Sequence, residues 1–212
     1  MVLSSGLAIV AVAMIAWRFN RASYETAAPF EPTSRAIEPS PLCPWREPDA
    51  DMRRFFPEAN RHTTEPRILS GLRVELAKQL RRQPSAEENS LTLHRVFKDA
   101  QPLGTVLAQR VKGEHGAIEL VLAVTERGEV QDVRLQRLRE PAAVADALQD
   151  RAWLGKFQER THDRGWDSDD LSGIPSEARV SAQAIREGIH SLLILLATSE
   201  GLPSASSAKP HH

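Results

Sequence analysis

Between Ala117 and Arg137 the chain alternates in a way that a strand pair satisfies and a helix does not. Ile118, Leu120, Leu122 and Val124 fall at every second position, which puts them on one face of an extended run, Ala117 to Thr125. Arg127-Gly128 supplies a turn, and Val130 to Arg137 returns with Val133 and Leu135 on the same inward face. An antiparallel hairpin with one apolar face needs a second layer to cover it. Two further strand-like runs precede it, Thr92 to Lys98 around Leu93, Arg95 and Phe97, and Gly104 to Val111. Four strands in sequence call for helices on at least one side.

The helical periods provide them. Leu72, Leu76 and Leu80 recur at helical spacing within Ser70 to Arg82, where Ser70 is placed to cap and Lys78, Arg81 and Arg82 suit the C-terminal end of the dipole. Pro84 stops that helix, and Gln83 to Ser90 reads as polar loop. A shorter helix is expected over Asp49 to Phe56, with Asp49 as its cap and Pro57 ending it, and another from Pro141 to Asp150. Trp153, Leu154 and Phe157 form an apolar cluster, and His162 to Ser172, rich in Asp and Gly, reads as loop. The longest helix is expected from Ala178 to Thr198, where Val180, Ile185, Ile189, Leu192, Leu193 and Leu196 make a wide apolar stripe ended by Gly201 and Pro203. The expected class is therefore α+β, an antiparallel sheet packed with helices over residues 50–198, followed by a small, polar tail at 199–212.

Residues 1–21 have a different character. Val2 to Trp17 carries no charge and is dominated by Ala, Val, Ile and Leu. As a helix it would extend about 24 Å at 1.5 Å per residue, a little short of the roughly 30 Å hydrocarbon core of a bilayer. Trp17, Arg18 and Arg21 then have the chemistry of an interfacial edge. One N-terminal transmembrane anchor is the reading that fits best; a cleaved signal peptide, which would want a basic start that Met1-Val2-Leu3-Ser4-Ser5 lacks, and a buried helix are the rivals. Residues 22–49 hold Pro29, Pro32, Pro39, Pro41, Pro44 and Pro48, the composition of an extended spacer. With Arg18 and Arg21 after the segment and nothing basic before it, the charge bias favours a cytoplasmic domain.

Composition excludes several functions. A formal net charge of -1 argues against nucleic acid as a partner. The single cysteine, Cys43, permits no internal disulfide and no cysteine-based metal site. His62, His94, His115, His162 and His190 are scattered without metal-ligand spacing, and no nucleophile elbow or phosphate-cradling glycine loop occurs. Asp167-Ser168-Asp169-Asp170 has oxygens for a hard cation but lacks the glycine and distal glutamate of a calcium loop, so it reads as solvated loop. No catalytic set assembles.

The order of landmarks is more informative. Phe55-Phe56-Pro57-Glu58-Ala59 is followed by Phe97, Gly104 and Lys112-Gly113-Glu114-His115-Gly116-Ala117-Ile118. After the hairpin come Leu135-Gln136-Arg137-Leu138-Arg139-Glu140-Pro141, the Trp153 and Phe157 pair, and an Ala/Ser-rich helix start. Over roughly residues 52–198 this resembles the FMN-binding domain found in the G subunit of Rnf electron-transport complexes and the C subunit of the sodium-pumping NADH:quinone reductase. Those proteins also carry one N-terminal membrane helix. In that family a His-x-Glu-Thr-like motif closes the second hairpin strand; here Glu140 holds the acidic position, Pro141 replaces the threonine, and Ala142 and Ala143 replace the glycines.

The family's signature is Ser-Gly-Ala-Thr, whose threonine is esterified to the FMN phosphate at a helix N-terminus, where free N–H groups favour an anion. The matching stretch here is Ser176-Glu177-Ala178-Arg179-Val180-Ser181-Ala182, with Arg179 at the acceptor position and Glu177 in place of the glycine. A second register sets Ser172-Gly173 on the motif, but Ile174-Pro175 then follows and again no threonine is present. The resemblance thus implies a degenerate flavinylation site without covalent flavin. Two readings follow. In one, the chain is a membrane-anchored accessory subunit of an electron-transport complex, an interaction or assembly module with no turnover of its own, partnered by integral membrane subunits. In the other, FMN binds noncovalently through Glu140, Ser176, Arg179 and Ser181, with Trp153 and Phe157 as ring neighbours or, more simply, core residues, and the protein carries electrons. The resemblance favours the inner membrane with the domain on the periplasmic side, against the charge bias.

Overall fold

The computed structural model describes residues 48–164, 166 and 168–202; the expected anchor, nearly all of the spacer and the tail beyond Leu202 lie outside the described residues. The described part is α+β. Its sheet has five antiparallel strands, β1 (Arg61–Ile68), β2 (Ser90–Lys98), β3 (Gln101–Lys112), β4 (Ala117–Val124) and β5 (Val130–Leu138), arranged in sequence order as a meander. The last four are the runs expected from alternation. The first was missed: Arg61-His62-Thr63-Thr64-Glu65-Pro66-Arg67-Ile68 is an edge strand, mostly exposed and paired only with β2, so it has no apolar alternation to display.

Among the described residues five α-helices accompany the sheet: α1 (Asp49–Phe55), α2 (Arg73–Leu80), α3 (Ala142–Leu148), α4 (Arg151–Gly155) and α5 (Arg179–Glu200). Asp49 is the first helical residue of α1, and Pro48 takes the capping position. Ser70 likewise caps nothing, because a 3-10 turn over Ser70–Leu72 leads directly into α2. The helix expected from Pro141 to Asp150 ends at Leu148; Asp150 then accepts from the Ala152 amide at 3.0 Å and starts a separate helix, α4, under the apolar cluster.

The main core lies between the sheet and α5. Leu93, Leu107, Ile118, Leu120, Leu122, Val133 and Leu135 meet Ala182, Ile185, Ile189, Leu192 and Leu193. The stripe on α5 follows from its 3.6-residue period; Val180, expected on that stripe, falls off it and is exposed. Gly201, in the left-handed region at φ 64°, ends the helix, and the Leu202 amide turns back to the Ala197 carbonyl at 3.0 Å. At the hairpin tip Gly128 has φ 78° and donates to the Thr125 carbonyl at 3.0 Å, so a glycine is needed there.

The opposite face of the sheet is buried too. Val96, Val106, Val121 and Ala123 pack with Met52, Phe55 and Phe56 from α1 and its C-terminal flank. Gly104 of β3 lets Phe56 reach that surface. A Cβ at this position would sit 2.5 Å from the Val124 carbonyl oxygen and 2.8 Å from the Phe56 ring. Because one of those contacts is backbone, Gly104→Ala is expected to cost about 1–3 kcal/mol, read as a lower urea midpoint with unchanged slope.

One irregularity shapes the sheet. β2 pairs with β3 only from His94↔Val106 to Lys98↔Gln101, whereas β3 stays paired with β4 out to Lys112↔Ala117. The first half of β2 and the second half of β3 therefore part. The gap holds a cleft of about 430 Å³ reaching Thr64, Thr92 and His94 as well as Gln109, Leu192 and Leu195.

Candidate functional site

Glu140 lies just after β5, and Ser181 is the third residue of α5. The fold brings them together across the loop joining β3 to β4. Ser181 Oγ donates to Glu140 Oε1 at 2.7 Å and accepts the Glu114 amide at 2.8 Å. The other carboxylate oxygen, Oε2, meets His115 Nδ1 at 2.8 Å, and the His115 amide donates to Oε1 at 3.4 Å. The Glu140 side chain is 0% exposed, Ser181 is fully buried, and His115 is half-exposed at 49%. Burial alone would push the Glu140 carboxyl up; bonds from the Ser181 hydroxyl and the His115 ring and amide outweigh it and hold the pKa below its ordinary value.

Gly113 makes this closure sterically feasible. A Cβ there would lie 2.2 Å from Glu140 Oε1, 2.8 Å from Ile118 Cδ1 and 2.9 Å from Ser181 Oγ. Sequence reasoning singled out Glu140 and Ser181 but not the tie from Gly113, Glu114 and His115. The signal lay in glycines bracketing Glu114-His115 at the end of a strand, which marks close backbone approach.

Ser176 and Arg179 do not join this cluster. Both are exposed; the Ser176 hydroxyl donates to its neighbour Glu177 at 3.2 Å, and Arg179 makes no ion pair among the described residues. Helical geometry explains the split. Residues 179 and 181 are about 200° apart around the axis, so when Ser181 faces the sheet, Arg179 faces away.

These residues do not fit an FMN phosphate. A phosphate at the start of α5 would meet the Glu140 carboxylate beside Ser181 and the Glu177 carboxylate in the 3-10 turn, Ser176–Ala178, that leads into the helix. The Ser181 hydroxyl proton is already directed at Glu140, and its oxygen already accepts an amide. Glu140 thus places a negative charge of the protein's own beside Ser181. The cleft of about 430 Å³ is lined by residues of β1–β3, Glu87 just before β2 and the C-terminal half of α5, not by any of the four candidates.

Trp153 and Phe157 are core residues. Their rings meet edge-on at 5.4 Å, Phe157 stacks on Trp166 at 6.1 Å, and Trp166 stacks on His190 at 4.6 Å. Burial first, then the positive charge of Arg186, pulls the His190 pKa below its usual value, while its contact with the His162 carbonyl, 2.9 Å from Nε2, acts the other way. Asp170 corrects the solvated-loop expectation. It is buried, 3% exposed, and takes Arg160 in a two-pronged pair at 2.5 and 2.9 Å plus Arg186 Nε at 3.0 Å. Ion pairs ten and sixteen residues apart leave no local pattern to read.

Among the described residues no group of three or more His, Cys, Asp or Glu side chains is placed to hold a metal. Among the described residues one helical stretch, Ser176–Glu200, is long and apolar enough to cross a membrane by length and composition; two-thirds of its most apolar window is buried inside the domain, as the core helix. No protein-family model matches this chain, and no curated protein matches it.

Proposed function

We propose that the protein is a membrane-anchored accessory subunit of an electron-transport assembly, in which a domain resembling FMN-binding domains acts as a flavin-free interaction module. The observation that carries this reading is the bond from Ser181 to Glu140: the groups at the start of α5 that would receive a phosphate satisfy one another. In this reading the family's fold is kept while the pocket chemistry is turned inward. Integral membrane subunits are the expected partners, with the apolar segment 2–17 holding the domain at the bilayer. The family resemblance favours the periplasmic side of an inner membrane; Arg18 and Arg21 favour the cytoplasmic side.

The competing reading is a noncovalent FMN carrier. It draws on Arg179, an exposed first-turn cation without an ion pair among the described residues, which has the chemistry to meet a phosphate. Isolation from native membranes in mild detergent separates the two. A colourless preparation with integral membrane proteins in stoichiometric amounts is expected. A yellow protein whose flavin is released by acid would favour the carrier, and a colourless monomer without partners would count against the module.

A further inference from the structure

Large apolar side chains left in water are few among the described residues, and they are not scattered. Of the four, Ile68, Leu72, Val74 and Val180, three fall within seven residues, and Ile68 and Val74 are 82% and 88% exposed. Isolated exposed hydrophobics are ordinary on a protein surface, but a group of them calls for an occupant. This group sits at the end of β1, on the 3-10 turn and at the start of α2.

The same stretch carries a local charge excess in a chain of net charge -1. Between Pro66 and Ala86 stand Arg67, Arg73, Lys78, Arg81 and Arg82, with Glu75 as the one acid. Three of these cations have internal work. Arg67 pairs with Glu65, Arg82 with buried Glu88, and Arg73 holds the Asn89 side chain and the Pro84 carbonyl. Lys78 and Arg81 make no ion pair among the described residues. Val74 and Lys78, at i and i+4, are exposed on the outward face of α2 with Leu76 buried beneath, and Arg81, the exposed left-handed residue that caps the helix, follows them.

We propose that this face, Ile68, Leu72 and Val74 rimmed by Lys78 and Arg81, docks on an anionic lipid surface. Short apolar side chains inserted at headgroup depth with flanking cations at the phosphate level are the chemistry of an interfacial contact. Such a patch is too small to hold a free protein at a bilayer. Tethering raises its local concentration and makes a weak contact sufficient. The proposal therefore rests on the reading of residues 2–17 as a membrane anchor. The lipid charge, not a particular lipid species, is what the face recognises.

The test uses the full chain with Cys43→Ser and a bimane label at Val74→Cys, or at Glu126→Cys on the exposed β4–β5 turn. Each is reconstituted into phosphatidylcholine vesicles, with or without phosphatidylserine, containing spin-labelled lipid. Flotation of the protein with the vesicles reports the anchor; quenching of the label reports docking. Quenching at position 74 several-fold above that at position 126 is expected, only with phosphatidylserine, and lost in high salt or with Lys78→Glu and Arg81→Glu. Flotation without quenching at position 74 overturns docking and leaves the anchor standing, whereas failure to float overturns the anchor and the proposal with it. Equal quenching without phosphatidylserine overturns the charge recognition. Shielding of position 74 from iodide only in native membranes, with no lipid quenching, would assign the face to an acidic protein instead.

Discussion

Asp170→Ala is expected to lower the stability of the folded domain by about 3–5 kcal/mol, the cost of removing one partner from a buried ion cluster. The carboxylate joins three parts of the chain. Its two oxygens take both terminal nitrogens of Arg160, from the segment after α4, and Nε of Arg186, from the middle of α5. The Asp170 carbonyl accepts the Trp153 indole at 2.9 Å, so the segment is also held from its backbone. Without the carboxylate, two guanidinium groups only 20% and 16% exposed lose the anion that bridges them. Urea unfolding of the variant and the wild type, followed by tryptophan fluorescence, measures the difference. A loss below about 1 kcal/mol, the range of exposed pairs, would mean that the cluster is wetter than its burial implies.

Glu140→Ala is expected to cost about 2–3 kcal/mol, as bonds to a charged acceptor are lost and the Ser181 hydroxyl is left buried without its acceptor. The effect should depend on pH with a definite sign. Because the folded pKa lies below the ordinary carboxylate value, the stabilisation from ionised Glu140 is complete above that ordinary value. It fades as pH falls through the depressed folded pKa, so the gap between wild type and variant should close in acid. Denaturation midpoints of both proteins from neutral pH downward check this. A gap that widens in acid would show that the carboxylate is strained when charged.

The parts of this fold that sequence disclosed are those where an apolar face recurs with a regular period. Ile118, Leu120, Leu122 and Val124 alternate because β4 faces α5, and Ile185, Ile189 and Leu192 recur because one side of α5 faces the sheet. The strand β1 was hidden because an exposed edge strand with a proline and three charges carries no such rhythm. Burial of Val121 and Ala123 by α1 was not read, because the alternation assigned an inward role only to the Ile118–Val124 face of β4 and gave its other face no covering layer. Of the four residues joined by the resemblance, the fold sets Glu140 and Ser181 together, while Ser176 stands exposed in the 3-10 turn before α5 and Arg179 is turned away by the helical period. Asp170 shows the general difficulty. A run of acids reads as solvent-facing until an arginine elsewhere in the chain folds onto one of them.

The closure of the α5 start by Glu140 is the physical centre of the functional reading, and FMN itself is the most direct probe of it. Titration of the purified full-length protein with FMN, followed by quenching of flavin fluorescence, is expected to show no saturable binding at micromolar concentrations, with wild-type protein and Arg179→Ala indistinguishable. Saturable one-to-one quenching that Arg179→Ala abolishes would contradict it, and would place the flavin phosphate at the very helix start that Glu140 is held to close.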